Sequence, residues 1–424
     1  MFSHSPFRRN LAALAVGFCA ITLSRGATIE DLNSAMGAVV WDDENLWDDA
    51  ASDVAARLQW PKESETPRDS SYRLYPPPGS LMLGARPYSL ALYGEDGKIA
   101  GISMVFANKG DVEGLSDLPD GPMDANAARQ TRKAIKNFKQ QIDADEKTIV
   151  ERLTAHLGAP TSGSFGQGRQ TREQVKRWDW NGHSILVAAP RGEYLAVRIV
   201  PQDVADGARA ARLPEAELRT ELASRIERRP NGDVVVTQIP MVDQGPKGFC
   251  VPATWERALR YMGIPADMYV LAMAGNTGVG GGTSISSIIA GAKELVTRAG
   301  RRLDEERGPI SVRSVAKSID KGLPIMWVMH VEEETNRSVS LRSRERQHVS
   351  DMKAWNEQLA PIRKDARKIK VSRDTGHVCM IIGYNADTNE IAISDSWGPG
   401  FAERWITVEE ANAISQGSFL IVNF

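Results

Sequence analysis

Cysteine is scarce in this sequence. Three cysteines in 424 residues exclude a scaffold stapled by several disulfides and a cysteine-rich zinc cluster. The six histidines show no spacing to Cys or Asp that reads as a metal site, so no metal or cofactor is expected. An excess of one charge is also lacking. With 52 Lys and Arg against 54 Asp and Glu, nothing pulls the whole chain toward nucleic acid or an anionic membrane. The apolar run Leu11–Leu23 (LAALAVGFCAITL) is too short for a comfortable membrane span. It follows Arg8 and Arg9 and precedes the small residues Ser24 and Gly26. That order predicts an export signal over residues 1–26 and a secreted or periplasmic protein. Phe18 before Cys19 is too large for a lipid-attachment site. The remaining composition, 42% hydrophobic and 25% charged, is that of a globular chain with room for two or three domains.

Two similar units follow the signal. The first, residues 27–120, has a helical stretch at Leu46–Leu58 and strand-like runs at Tyr72–Tyr75, Tyr88–Tyr93 and Ile99–Phe106. Gly94-Glu95-Asp96-Gly97 supplies a hairpin turn. The second, residues 121–204, has a helix at Lys147–Leu157 stopped by Gly158 and Pro160. Runs at Val175–Trp180, Ser184–Ala189 and Tyr194–Val200 follow, with turns at Asn181-Gly182 and Arg191-Gly192. Both read as a helix and then three strands, a degenerate duplication. Residues 205–232 are charged and read as a linker. A strand at Asp233–Ile239 (DVVVTQI) opens the last domain, residues 233–424.

One of the two remaining cysteines stands in DQGPKGFCVPATW, residues 243–255. Val251, Trp255, Ala258, Leu259 and Met262 fall on one helical face, Pro252 suits a first turn and Gly263 a stop. Cys250 therefore sits where a helix begins. Unpaired backbone N–H groups and the helix dipole favour a thiolate there. Gln244, six residues earlier, can donate to a developing oxyanion. A buried structural cysteine at a helix start fits the same stretch, as does a bridge from Cys250 to Cys379.

A thiol nucleophile needs a base, and the base needs an orienting group. In HVCMIIGYNADTNEIAISDSWG, from His377 onward, alternation marks two strands joined at Tyr384–Thr388. A hairpin symmetric about Ala386 pairs Ile381 with Ile391 and Cys379 with Ile393. It also sets His377 opposite Asp395, ~5 Å apart at Cβ. The carboxylate then holds one ring nitrogen protonated and leaves the other for the thiol proton. A slip of one residue breaks that pairing.

The set Q-G-x-x-G-x-C from Gln244 to Cys250, G-H at Gly376-His377 and S-W-G at Ser396–Gly398 resembles the papain-like cysteine peptidases. The resemblance covers about residues 233–424. It implies that Gln244 helps form the oxyanion hole, Cys250 attacks the carbonyl, His377 is its base and Asp395 orients that base. Trp397 would cover the orienting contact. Asp395 replaces the usual Asn, and Val251 an aromatic. The acidic third member and Tyr261-Met262-Gly263 are similar to the bacteriocin-processing branch of the same fold. The implied fold class is α+β, with the nucleophile's helix packed on an antiparallel sheet behind the duplicated region. The implied function is an exported thiol hydrolase cleaving peptide or isopeptide bonds through an acyl-enzyme. An amidase or acyl transferase on cell-wall peptides, and a silent papain-fold binding module, are the alternatives.

Two further features stand apart. Gly278–Ser284 (GVGGGTS) lacks the Lys of a phosphate loop and reads as a flexible connection or a loop flanking a groove. Arg337–Arg373 carries 11 Lys or Arg against 4 Asp or Glu. It reads as solvated helical faces, with an acidic or cell-wall partner as the functional alternative.

Overall fold

A computed structural model describes residues 27–112, 125–207, 213–246, 248–372 and 375–424. The expected export signal lies outside the described residues, among which no helix is long and apolar enough to cross a membrane. The chain is α+β, with two antiparallel sheets.

The first sheet is built from β1 (Lys62–Glu65), β2 (Asp69–Leu74), β3 (Ser89–Glu95), β4 (Lys98–Asn108), β5 (Thr161–Phe165), β6 (Glu173–Trp180), β7 (His183–Ala188) and β8 (Tyr194–Pro201). Their order is β1-β2-β3-β4-β8-β7-β6-β5. Each expected unit thus contributes a meander of four strands, one more than the sequence pattern gave. The meanders join through β4 and β8 into one sheet with a shared core, so neither unit is self-contained. The short polar edge strands β1 (KESE) and β5 (TSGSF) lack the apolar alternation that marks a strand in sequence. The helix expected at Lys147–Leu157 runs over Ala125–Leu157. Its first turns are charged and exposed, and its buried residues Ile142, Ile149 and Leu153 lie toward the C-terminal half.

Both faces of this sheet are covered. Along β8, Leu195, Val197 and Ile199 pack with Leu32, Met36, Val54 and Leu153 of the helices on one side. Tyr194 and Ala196, on the alternate face, join Val105 of β4 and Val242, Ala253, Met268 and Tyr269 of the other half of the chain. Period-two alternation with apolar residues on both faces makes the strand a near-continuous hydrophobic run.

The second sheet contains β9 (Ile226–Arg228), β10 (Asp233–Val236), β11 (Arg302–Arg307), β12 (Ile325–His330), β13 (Gly376–Asn385), β14 (Glu390–Ser394), β15 (Arg404–Thr407) and β16 (Ser415–Asn423). The order is β11-β16-β12-β13-β10-β9, with β14 pairing β13 and β15 pairing β14. The segment read as a linker belongs here. Its helix, Glu215–Ser224, buries Leu218 and Leu222 in the second core, and β9 pairs with β10.

The basic stretch Arg337–Arg373 forms most of the helix Glu333–Arg346 and all of the helix Met352–Asp365. Part of its charge is used internally. Arg342 meets Glu410 at 2.7 Å, and Arg346 bridges Asp233 at 2.7 Å and Glu390 at 3.0 Å. Arg344, Lys353, Lys364, Arg367, Lys368 and Lys370 remain exposed.

Candidate active site

Cys250 opens the helix Cys250–Tyr261. Phe249 before it has no capping side chain, so the first-turn N–H groups face the thiol's surroundings. Every residue of this helix is buried. The apolar face read from the sequence lies in the core of the second domain. The polar face is not solvated. Glu256 lies 4.0 Å from Arg73 of β2, and Arg260 sits over the Tyr93 ring of β3 at 5.3 Å.

His377 is the second residue of β13, and Asp395 follows the last residue of β14. His377 Nε2 lies 2.6 Å from Asp395 Oδ1. The contact forms, but not through the expected register. Ile381 pairs with Ile393 and Met380 with Ser394, and β13 is irregular between Ile381 and Gly383. Asn385 Oδ1 accepts from Asp387 N and Thr388 N, both at 3.0 Å. Asn389 takes a φ of 49°. These fix a four-residue turn centred beyond Ala386 and shift the pairing. His377 is therefore not directly opposite Asp395. The chain leaves the sheet after Ser394, with Asp395 N bonded to Phe401 O at 3.0 Å, and the carboxylate reaches the ring from that turn.

The Cys250 thiol hydrogen-bonds to the His377 ring. Since Nε2 is held by Asp395, Nδ1 is the nitrogen left for sulfur. Burial pushes the Cys250 thiol up, but the His377 charge and hydrogen bond, with backbone N–H groups of Val378 and Val251, bring it below the ordinary thiol range. Burial likewise pushes His377 down, and the Cys250 charge and the Asp395 hydrogen bond reverse this, raising it to about 10. Burial also pushes Asp395 up, and its hydrogen bond to His377 and the charges of His377 and Arg404 hold it low. The favoured state is a thiolate–imidazolium pair with an ionised carboxylate behind it.

The signs set a pH dependence. Thiolate appears as pH rises through the depressed Cys250 value, and the imidazolium is lost as pH rises through about 10. At pH 6.5 a free thiol of pKa ~8.5 is about 1% ionised. Wild-type Cys250 is therefore expected to react with iodoacetamide about tenfold faster at pH 6.5 than Cys250 in a His377→Ala variant. The gain in thiolate is partly offset by lower intrinsic nucleophilicity. Rate profiles from pH 5 to 10 for the two proteins check this.

Gln244 is buried, and its N–H donates to Ser396 O at 2.9 Å. Its backbone thus lies beside the residue between Asp395 and Trp397. Trp397 stacks on the His377 ring at 4.7 Å, and Phe401 meets Trp397 edge-on at 5.4 Å. The pair shields the His377–Asp395 contact from water. The glycine-rich loop also comes here, with Gly282 N directed at Gly248 O at 3.4 Å.

Cys379 is a free thiol, as is Cys250. It packs against Met329, Sγ to Sδ 3.5 Å, and not against Ile393. In the shifted β13–β14 register Ile393 pairs with Ile381, and Met329 lies on β12 along the other edge of β13. Burial raises its pKa well above the ordinary thiol range.

Three supporting residues were not singled out from the sequence. Thr254, one turn after Cys250, donates to Val378 O at 3.0 Å. Arg257, two turns after it, donates to Pro240 O at 2.9 Å and Ser394 Oγ at 2.5 Å. Both lie on the Cys250 stripe, and their spacing of four and seven was a readable signal. Thr254 ties the helix to the strand carrying His377, and Arg257 ties it to Pro240 and to the end of β14. Arg404 of β15 donates to Asp395 Oδ2. It also donates to Asn336 Oδ1 at 2.7 Å and Ser340 Oγ at 2.9 Å. Nothing local in the sequence marks it.

No curated protein matches the chain. Residues 236–420, which hold Cys250, His377, Asp395 and Gln244, match the Peptidase_C39 like family. The family match is confined to this C-terminal region and agrees there with the resemblance to the papain-like cysteine peptidases.

Proposed function

We propose that the protein is an exported thiol hydrolase that cleaves peptide or isopeptide bonds through an acyl-enzyme. The observation that carries this is the coupled buried set in which Cys250 contacts His377 and His377 contacts Asp395 at 2.6 Å. In this reading the Cys250 thiolate attacks the carbonyl carbon. Charge developing on the carbonyl oxygen is met by the Gln244 amide and the Cys250 backbone N–H. The His377 imidazolium gives its proton to the leaving amine, and the amine departs as the thioester forms. Neutral His377 then takes a proton from water as that water attacks the thioester, and collapse of the tetrahedral intermediate frees the acid product and expels the Cys250 thiolate beside the re-formed imidazolium. Asp395 keeps the ring in the tautomer and orientation both steps need.

The test is chemical modification of the full-length protein. Casein hydrolysis is expected to fall in proportion to carboxamidomethylation of Cys250, followed by mass spectrometry, and to reach background at one equivalent. Hydrolysis that persists on fully modified protein overturns the reading. Turnover of peptidoglycan fragments in place of casein would move the substrate to cell-wall peptides on the same triad.

A further inference from the structure

We propose that the N-terminal sheet is a working part of this peptidase, with Glu63 and Tyr75 as positioning residues that fix the Asp243–Gly245 turn and, through it, the Gln244 amide. The inference rests on the hydrolase reading above.

The contacts converge on one short segment. Tyr75 Oη donates to Asp243 O at 2.7 Å. Asp243 N donates to Glu63 Oε1 at 2.7 Å. Met241 N donates to Ser64 Oγ at 2.9 Å. Both backbone polar groups of Asp243, the residue before Gln244, are thus held by the first domain. On the other side Gln244 N is held by Ser396 O at 2.9 Å, and Gly245 N donates to Asp243 Oδ1 at 2.9 Å. Gly245 has a φ of 74°, and a Cβ there would lie 2.8 Å from the Tyr75 ring. Glycine is needed at 245 both for the left-handed backbone and for the aromatic ring laid against it. The turn is therefore shaped around a side chain from the other domain.

The clamp is itself built. Glu63 Oε1 also accepts from Arg73 Nε at 2.6 Å, and both side chains are 3% exposed. Tyr75 packs edge-on to Tyr88 at 5.9 Å. The same surface reaches the other flank of Cys250. A Cβ on Gly110 would lie 2.4 Å from the Phe249 ring, and Gly280 N donates to Lys109 O at 3.1 Å. Removal of the first domain would take away both partners of the Asp243 backbone.

An oxyanion donor acts through geometry held within a fraction of an ångström. Tyr75→Phe removes one hydrogen bond to Asp243 O and keeps the ring over Gly245. Iodoacetamide reaction at Cys250 reports the thiolate, and its displacement of iodide develops no carbonyl oxyanion. Hydrolysis of p-nitrophenyl acetate, counted as the part abolished by Cys250→Ala, requires one. The full-length Tyr75→Phe protein is expected to lose about tenfold in kcat. KM is expected to stay within twofold, and the iodoacetamide rate to equal that of wild type. Tyr88→Phe, which loses a hydrogen bond to Asp111 on the same surface, is expected to hydrolyse like wild type. Tyr75→Phe hydrolysis equal to wild type overturns the inference alone. So does a parallel fall in alkylation, or an equal loss in Tyr88→Phe, since either reports general loosening of the interface. Wild-type protein that is alkylated at Cys250 yet shows no Cys250-dependent hydrolysis overturns the hydrolase reading, and this inference with it.

Discussion

Replacing Cys250 by alanine is expected to lower casein hydrolysis by at least about 10⁴-fold, with the fold intact. On the proposed function, the size follows from losing the nucleophile of a triad whose members act as a unit. Water attacking directly would have only the oxyanion donors to help it. The side chain is 9% exposed, and alanine removes one sulfur without leaving a buried charge unpaired. His377 then titrates without the thiolate that raises it. Its pKa is expected to fall from about 10, readable from the imidazole proton resonances. Thermal unfolding close to that of wild type, together with lost hydrolysis, is the expected pair of results. Activity within tenfold of wild type would mean another group attacks.

Asp395→Asn is expected to cost about 10³- to 10⁴-fold in kcat/KM, although the papain-like pattern that this sequence resembles has asparagine at that place. The reason is the second neighbour. Asp395 accepts from His377 Nε2 at Oδ1 and from Arg404 Nη2 at Oδ2. Both partners are donors, and an ionised carboxylate offers two acceptors. An amide offers one acceptor and one donor, so its NH₂ must face either the ring or the guanidinium. Arg404 is 4% exposed and Arg257 1%. Both face the Asp395 charge and would lose it. Combining Asp395→Asn with Arg404→Met removes the opposing donor and is expected to recover at least tenfold. Steady-state kinetics of the four proteins on one peptide substrate form the test. A single Asp395→Asn variant within threefold of wild type would show that Arg404 does not dictate the carboxylate.

The supports around this site differ in how far the chain alone reveals them. The position of Cys250 at a helix start was legible, because Pro252, the apolar spacing and Gly263 act locally. Thr254 and Arg257 lay on the same stripe, yet Arg257 is an arginine held 1% exposed. Single-sequence reasoning assigns such a residue to solvent. The His377–Asp395 contact was expected from a symmetric hairpin and occurs through an asymmetric one. The Asn385 turn and the irregularity before Gly383 moved the register, and departure of the chain after Ser394 restored the contact.

By itself the sequence determined the short-range features: the strand and helix periods, the cysteine at a helix end and the order of the motif residues. These depend on backbone preferences and spacings of a few residues, which are written locally. Tertiary structure alone decided the rest. It joined two meanders into one sheet, drew the supposed linker into the second sheet and gave Asp395 its arginine. It also buried the polar face of the Cys250 helix against Arg73 and Tyr93. Which surface covers a polar face, and which distant donor reaches a carboxylate, depends on how whole layers pack, and residue spacing within one segment carries no record of that.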